Sequence, residues 1–117
     1  MLTRARDLLA ERPGAWIQGK LAADSDGILK SPWSNLACRW SLTGALDLTS
    51  GMTSDSDQHG WQRHLAREAL IEAILLNAGI ETGTGYRVCL TVWNDTDGRT
   101  RNDVLAALDR AIEELDG

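Results

Sequence analysis

The alternation of apolar and polar positions is clearest in residues 61–79, where it predicts a helix. Trp61 and Leu65 lie one helical turn apart in the first half of this segment, which is amphipathic. Residues 69–78 are apolar on most sides of the helix, so we expect this half to be buried at the centre of the fold. Gly79, with an apolar residue behind it, has the form of a glycine cap at the end of the helix.

Three further helices are indicated by apolar residues spaced three or four positions apart. The first ends before Pro13, and the second follows Pro32, which suits the beginning of a helix. The third begins at Thr100 and Asp103, which form a pattern like a capping box. In chain order, these predicted helices cover residues 3–12, 35–51 and 101–115.

Two segments are predicted to contain short strands. Residues 15–33 include two glycines, the second of which follows Asp26 in an Asp-Gly pair, and this suggests short extended pieces joined by a turn. Residues 86–93 alternate with a period of two, which indicates a strand, although a short helical piece is the alternative. Residues 51–60 contain Ser, Thr and Asp with hardly any apolar residue, and are predicted to form a flexible surface loop.

These elements together predict an α+β fold that is mostly helical. Three or four helices would pack around the apolar segment 69–78, with two or three short strands at one side. A chain of 117 residues is long enough to bury one core without disulfides, so we expect residues 1–117 to form a single compact domain.

Charge and composition argue against several classes of protein. The net charge of −5 provides no strong basic field for a phosphate backbone, so direct nucleic-acid binding is not expected. The N-terminal residues have no long apolar run, which predicts neither a signal peptide nor a membrane span and favours the cytoplasm. Cys38 and Cys89 match no metal or redox spacing and are predicted to be small buried thiols.

The densest polar cluster lies in residues 93–105, and it has two interpretations. A helix start accounts for most of it, because acidic residues and a capping box are favourable at the positive end of a helix. What remains is Trp93, placed directly before an amide and a carboxylate. A pocket or partner site at this point would use six residues: Arg39, Trp40, Trp93, Asn94, Asp95 and Arg99.

No residue pattern predicts a catalytic centre, a metal site or a cofactor. No serine lies in a nucleophile elbow, and three acidic turns that resemble calcium loops lack the glutamate that such loops place at their twelfth position. His64, Glu68 and Glu72 fall on one helix face, where an exposed stripe with ordinary ion pairs is the simpler interpretation. A metal-dependent hydrolase that uses His64, Glu68 and an aspartate is the weakest alternative, and we do not expect an enzyme.

Several motifs resemble a family of small bacterial and phage proteins known only as a domain of unknown function. Its pattern is Trp, then Ala-x-Asp-x-x-Gly, then Arg-Trp-x-x-x-Gly-Ala-Leu, then Trp-Asn-Asp before a Val-Leu helix that ends in Asp-Arg-Ala-Ile. Ser41 departs from this pattern, because the family often has a cysteine after its Arg-Trp pair, and this weakens any idea of a thiol-based site. The resemblance implies a prokaryotic or phage origin and no particular activity. The pattern falls on Trp16, Ala22, Asp24, Gly27, Arg39, Trp40, Gly44, Ala45, Leu46, Trp93, Asn94, Asp95, Val104, Leu105, Asp109, Arg110, Ala111 and Ile112.

The composition favours a binding role over catalysis. The chain has five tryptophans and ten arginines, with one tyrosine and no phenylalanine. Filling of the core is the simpler interpretation of each tryptophan, and a GC-rich genome is the simpler interpretation of the arginines. Tryptophan and arginine are also the residue types that dominate protein interfaces and ligand cages. We therefore expect a non-enzymatic protein that contacts another protein, as an inhibitor or an adaptor. A small-molecule binder with a Trp, Arg, Asn and Asp pocket is the alternative, and the sequence indicates no oligomeric state.

Overall fold

The computed structural model describes residues 2–49, 60–79 and 89–116. This part of the chain is mostly helical and includes a two-stranded antiparallel sheet, which confirms the predicted α+β class. Of the predicted flexible loop 51–60, residues 51–59 lie outside the described residues. The elements are α1 (Leu2–Ala10), a 3-10 turn (Pro13–Ala15), β1 (Ala22–Ala23), β2 (Arg39–Trp40), α2 (Leu42–Thr49), α3 (Gly60–Asn77), α4 (Leu90–Asp95) and α5 (Arg101–Asp116).

The second half of α3 is buried, as its apolar residues predicted, and α3 packs mainly against α5. Leu70 and Ala73 are fully buried, and most of their neighbours between residues 69 and 75 are buried as well. Helix α5 packs against α3 and α1, and α1 also packs against α2. These four helices and Leu90 of α4 contribute to one cluster of buried side chains. Gly79, two residues beyond the end of α3, has a positive φ of 77°, as expected of a glycine cap.

The small sheet joins two segments that lie far apart in the sequence. Ala22 pairs with Trp40 and Ala23 pairs with Arg39 in antiparallel register. Ala23 also forms an isolated bridge with Leu29 on its other side, so the chain turns back at residues 24–28. This confirms the turn that was predicted at the Asp-Gly pair.

The helix predicted over residues 35–51 is much shorter, and the prediction was wrong about its first half. Trp40 lies in β2, and α2 begins only at Leu42. The cause is a cap at Ser41, whose Oγ accepts a hydrogen bond from the backbone N–H of Gly44 at 3.1 Å. Pro32 lies in an isolated turn and does not begin a helix. The backbone N–H of Ser34 donates a hydrogen bond to the carbonyl of Ser31 at 3.0 Å, which closes this turn.

A strand over residues 86–93 was also predicted, and its described part contradicts this. Residues 86–88 lie outside the described residues, while Leu90–Asp95 forms α4, which was the helical alternative. Leu90 and Val92 would share one face of a strand, yet Leu90 is buried and Val92 is 66% exposed. Leu90 and Asn94 are both buried, and their spacing of four residues is that of one helix face.

Candidate functional site

Asn94 is a fully buried polar side chain that joins three parts of the chain. Its Oδ1 accepts hydrogen bonds from the indole N–H of Trp16 at 2.7 Å and from the backbone N–H of Leu42 at 3.0 Å. Its Nδ2 donates to the carbonyl of Ile17 at 3.1 Å and to Oδ1 of Asp95 at 2.9 Å. All the hydrogen-bonding capacity that an asparagine amide normally uses is therefore occupied within the protein.

The segment that follows Trp16 is held to the end of α4 by further hydrogen bonds. Nε2 of Gln18 donates to the carbonyls of Asn94 and Thr96 at 2.9 and 3.0 Å. The backbone N–H of Gly19 donates to Oδ1 of Asp95 at 2.8 Å. Asn94 and Asp95 therefore fix the chain between the 3-10 turn and β1, and this contribution to the fold accounts for their polarity.

Trp93 and Arg99 lie together in a cleft between α3, α4 and α5. The guanidinium carbon of Arg99 is 4.1 Å from the centre of the Trp93 ring, which is cation–π geometry. Nε of Arg99 also donates a hydrogen bond to the carbonyl of Trp93 at 2.9 Å. The cleft has a volume of about 530 Å³ and is lined by Ile74, Leu75, Asn77, Ala78, Trp93, Arg99, Asp103 and Ala106.

The six residues of the predicted pocket are only partly brought together. Trp93 and Arg99 line the cleft, whereas Asn94 and Asp95 make the hydrogen bonds described above. Arg39 and Trp40 lie on β2, where their side chains donate to backbone carbonyls at 3.3 and 3.0 Å. Trp40 is buried. A ligand or partner at these six positions stays a prediction, and the cleft contains two of them.

The helix-start interpretation of the cluster is supported by its hydrogen bonds. Oγ1 of Thr100 accepts from the backbone N–H of Asp103 at 3.1 Å, and Oδ2 of Asp103 accepts from the backbone N–H of Thr100 at 3.0 Å. This reciprocal pair is a capping box with aspartate as the acidic residue. Gly98 has a positive φ of 83° in the turn that precedes it.

Sequence reasoning missed a concentration of exposed apolar side chains in residues 21–36, the segment that contains β1 and most of its connection to β2, and we call this set of side chains the 21–36 surface. In the described part of the chain, five of the eight large exposed hydrophobic residues belong to it. A pair of large apolar residues between turn-forming residues, in "DGILKSP", was the available signal. The surface consists of Leu21, Ile28, Leu29, Trp33 and Leu36.

The charge around the 21–36 surface differs from that of the rest of the chain. Residues 20–39 contain three cations and two aspartates, a net charge of +1, so the other residues together carry −6. Nζ of Lys20 donates a hydrogen bond to the carbonyl of Gly27, and Nζ of Lys30 lies 3.9 Å from Oδ2 of Asp24. Hydrogen bonds from the backbone N–H groups of Ile28 and Asp26 hold the pKa of Asp24 below its ordinary value.

Comparison with known proteins places the chain in a family. A family model described as "Family of unknown function (DUF6197)" matches residues 1–114. The chain belongs to this family. Membership confirms the resemblance to a domain of unknown function, and the description of DUF6197 names no activity. No curated protein and no solved structure matches the chain.

The residues that suggested metal or thiol chemistry include His64, Glu68 and Glu72 of α3 and two free cysteines. Among the residues that the structure describes, no group of three or more His, Cys, Asp or Glu side chains is placed to hold a metal ion. Cys38 is half-buried and Cys89 is exposed, so the prediction of two buried thiols was wrong for Cys89.

None of the described helices combines the length and apolar character that a membrane crossing requires.

Proposed function

We propose that this member of DUF6197 is a non-enzymatic binding protein that contacts another protein through the 21–36 surface, as an inhibitor or an adaptor. The observation that carries the proposal is the exposure of large apolar side chains there, including Leu29 at 63% and Leu36 at 61%. Large apolar side chains that stay exposed and are concentrated in one segment of a chain are a feature of interaction sites.

These side chains add little to folding and much to association. Complete burial of a leucine or isoleucine side chain stabilises the folded protein by about 1.5–3 kcal/mol. A side chain that is more than half exposed contributes only a small part of this free energy to folding, and the rest becomes available when a partner covers it. Trp33 is 37% exposed, and tryptophan is the residue type most enriched among the few residues that dominate binding energy.

The backbone beneath the 21–36 surface is held by hydrogen bonds. The N–H of Asp24 donates to the carbonyl of Ile28 at 3.0 Å, and the N–H of Lys30 donates to the carbonyl of Ala22 at 3.0 Å. The indole N–H of Trp40 donates to the carbonyl of Pro32 at 3.0 Å. A surface that is ordered before binding loses less conformational entropy on association, which supports a protein interface.

The charge of the segment favours an acidic partner surface. Lys20, Lys30 and Arg39 lie within or beside this segment of the sequence, and residues 20–39 carry a positive net charge in a protein that is otherwise negative. Complementary charge at the rim of an interface increases the association rate and selects among partners. A net charge of +1 is too small for a phosphate backbone, so the partner in this proposal is a protein and not a nucleic acid.

A cytoplasmic location and a bacterial or phage origin are part of the same proposal. Both cysteines are free thiols, and one of them is exposed. Free thiols are typical of a reducing compartment, which supports the cytoplasm.

Site-specific photo-cross-linking in cells of the source organism tests the proposal. A benzophenone amino acid replaces Leu29 or Leu36 in the surface, and Val92 or Leu115 in matched controls that are also more than half exposed. We expect the two surface positions to give the same protein adduct and the controls to give none. Equal adducts from the controls, or no adduct from the surface positions, would contradict the proposal.

Binding of the purified partner completes the test. The double substitution Leu29→Ser with Leu36→Ser should weaken the affinity at least about tenfold, because it removes two apolar contacts of the kind that dominate interfaces. The control Leu65→Ser with Leu115→Ser removes exposed leucines elsewhere and should bind as the unmodified protein does. An equal loss in both double variants would mean that the 21–36 surface is not the interface.

A further inference from the structure

We propose that the cleft between α3, α4 and α5 binds a small organic acid with one carboxylate and an apolar body. The carboxylate pairs with the guanidinium of Arg99, and the apolar part lies against the aliphatic side chains of the cleft. The cleft shares no residue with the 21–36 surface, so this site is independent of the proposed protein interface.

The walls of the cleft fit a ligand that is mostly apolar. Ile74 and Leu75 from α3 and Ala106 from α5 line it, and the half-buried ring of Trp93 forms another wall. Its volume of about 530 Å³ lies within the range of about 300–1,000 Å³ that is typical of small-molecule sites.

Arg99 is positioned to bind a carboxylate. Its Nε–H is bonded to the carbonyl of Trp93 at 2.9 Å, and its guanidinium carbon is 4.1 Å from the centre of the Trp93 ring. Among the described residues, neither Nη group of Arg99 has an acceptor or an ion-pair partner. The side chain is thus fixed by Nε and by the ring, and its terminal N–H groups have the geometry that matches the two oxygens of a carboxylate.

Asp103 limits the charge of the ligand. It lines the same cleft four residues after Arg99, and one of its carboxylate oxygens accepts the backbone N–H of Thr100. No ion pair between Arg99 and Asp103 is formed within the described part of the chain, so the guanidinium charge is not neutralised there. A second negative group on the ligand would lie near this carboxylate, which favours an acid with a single charge.

The test uses 4-phenylbutyrate as the probe and 4-phenyl-1-butanol as its neutral counterpart. Two-dimensional ¹⁵N NMR of the full chain follows the indole N–H of Trp93, assigned with Trp93→Phe, and Nε–H of Arg99. We expect saturable shifts of both signals with the acid and an affinity at least about tenfold weaker for the alcohol, since charge-assisted hydrogen bonds are the stronger kind. Equal affinities for acid and alcohol, no saturable shift, or shifts confined to other tryptophans would overturn the proposal.

Two charge variants distinguish the site from general electrostatic attraction. Arg99→Gln should weaken binding of 4-phenylbutyrate by roughly 10- to 100-fold and leave binding of the alcohol unchanged. Asp103→Asn keeps an oxygen for the N–H of Thr100 and should bind the acid as well as the unmodified protein does, or more tightly. An equal loss in both variants would show that the effect is structural, and would overturn the assignment of Arg99 as the carboxylate partner.

Discussion

Replacing Asn94 with alanine removes the side chain that joins the segment around Trp16, the beginning of α2 and the end of α4. The amide makes four hydrogen bonds to groups in these segments, and none of its surface is exposed. Alanine provides neither an acceptor for the N–H of Leu42 nor a donor for the carbonyl of Ile17. The substitution therefore leaves donors and acceptors without partners inside the protein.

The expected cost can be worked out from these four bonds. A hydrogen bond contributes a net of about 0.5–1.5 kcal/mol, and a buried group left without a partner costs about 1–3 kcal/mol. We therefore expect Asn94→Ala to lower the free energy of unfolding by roughly 3–5 kcal/mol, a substantial part of the total of about 6–18 kcal/mol for a chain of this length. Trp16→Phe removes only one of the four bonds and should cost about 1–2 kcal/mol.

Urea unfolding monitored by tryptophan fluorescence and circular dichroism measures these differences. The matched control is Asn102→Ala, which removes an exposed asparagine from α5 and should change the free energy of unfolding by less than about 0.5 kcal/mol. A loss of less than 1 kcal/mol in Asn94→Ala, or a loss equal to that of the control, would refute the reasoning.

Three further substitutions test other parts of the structure by the same unfolding assay. Gly44→Ala places a Cβ 1.9 Å from the carbonyl oxygen of Leu21 and should cost at least about 1–3 kcal/mol, whereas Gly14→Ala meets nothing within 4 Å and should be close to neutral; equal effects would contradict this close approach. Thr100→Ala removes half of the capping box and should cost about 0.5–2 kcal/mol, and no loss would mean that the cap is unimportant. Asp24→Asn should lower the free energy of unfolding at neutral pH, because the pKa of Asp24 is lowered in the folded protein. The ionised carboxylate stabilises the fold above the unfolded pKa of about 3.9, and this stabilisation is lost as the pH falls through the folded pKa. A lower free energy of unfolding in Asp24→Asn that persists below the folded pKa would contradict this.

Helices α3 and α5 could be predicted because their signals are local. The apolar run 69–78 and the glycine after it define α3, and the reciprocal Thr100 and Asp103 pair begins α5. Neither signal depends on residues elsewhere in the chain, so a single sequence is sufficient to read them.

The elements that were predicted wrongly depend on contacts between distant segments. Strand β2 consists of two residues, Arg39 and Trp40, which are too few to show a period of two, and its partner is Ala22–Ala23. Apolar spacing alone favoured a helix there, and only the cap at Ser41 determines where α2 begins. For residues 90–95, the exposure of Val92 is what distinguishes a helix from a strand. Exposure follows from tertiary packing, which the sequence pattern does not contain.

The candidate site could be predicted only in part for the same reason. The polar cluster around Asn94 was visible in the sequence, but its indole partner lies 78 residues away and its partner in α2 lies 52 residues away. Trp93 and Arg99 lie side by side in the structure, and they could be placed together from the sequence because they are only six residues apart and both adjoin a helix end. The 21–36 surface was missed because an apolar residue in a short segment is ordinarily expected to be buried.

Native mass spectrometry of the protein purified from its source organism tests the proposed protein-binding role most directly. The proposal predicts a complex with one acidic partner protein that is present with the unmodified chain and with Leu65→Ser/Leu115→Ser, and is lost with Leu29→Ser/Leu36→Ser. The three samples are purified in parallel at the same salt concentration, since charged contacts weaken as salt increases. A partner that stays bound to the Leu29→Ser/Leu36→Ser variant, or an unmodified chain that is found without any partner protein, would contradict the proposal.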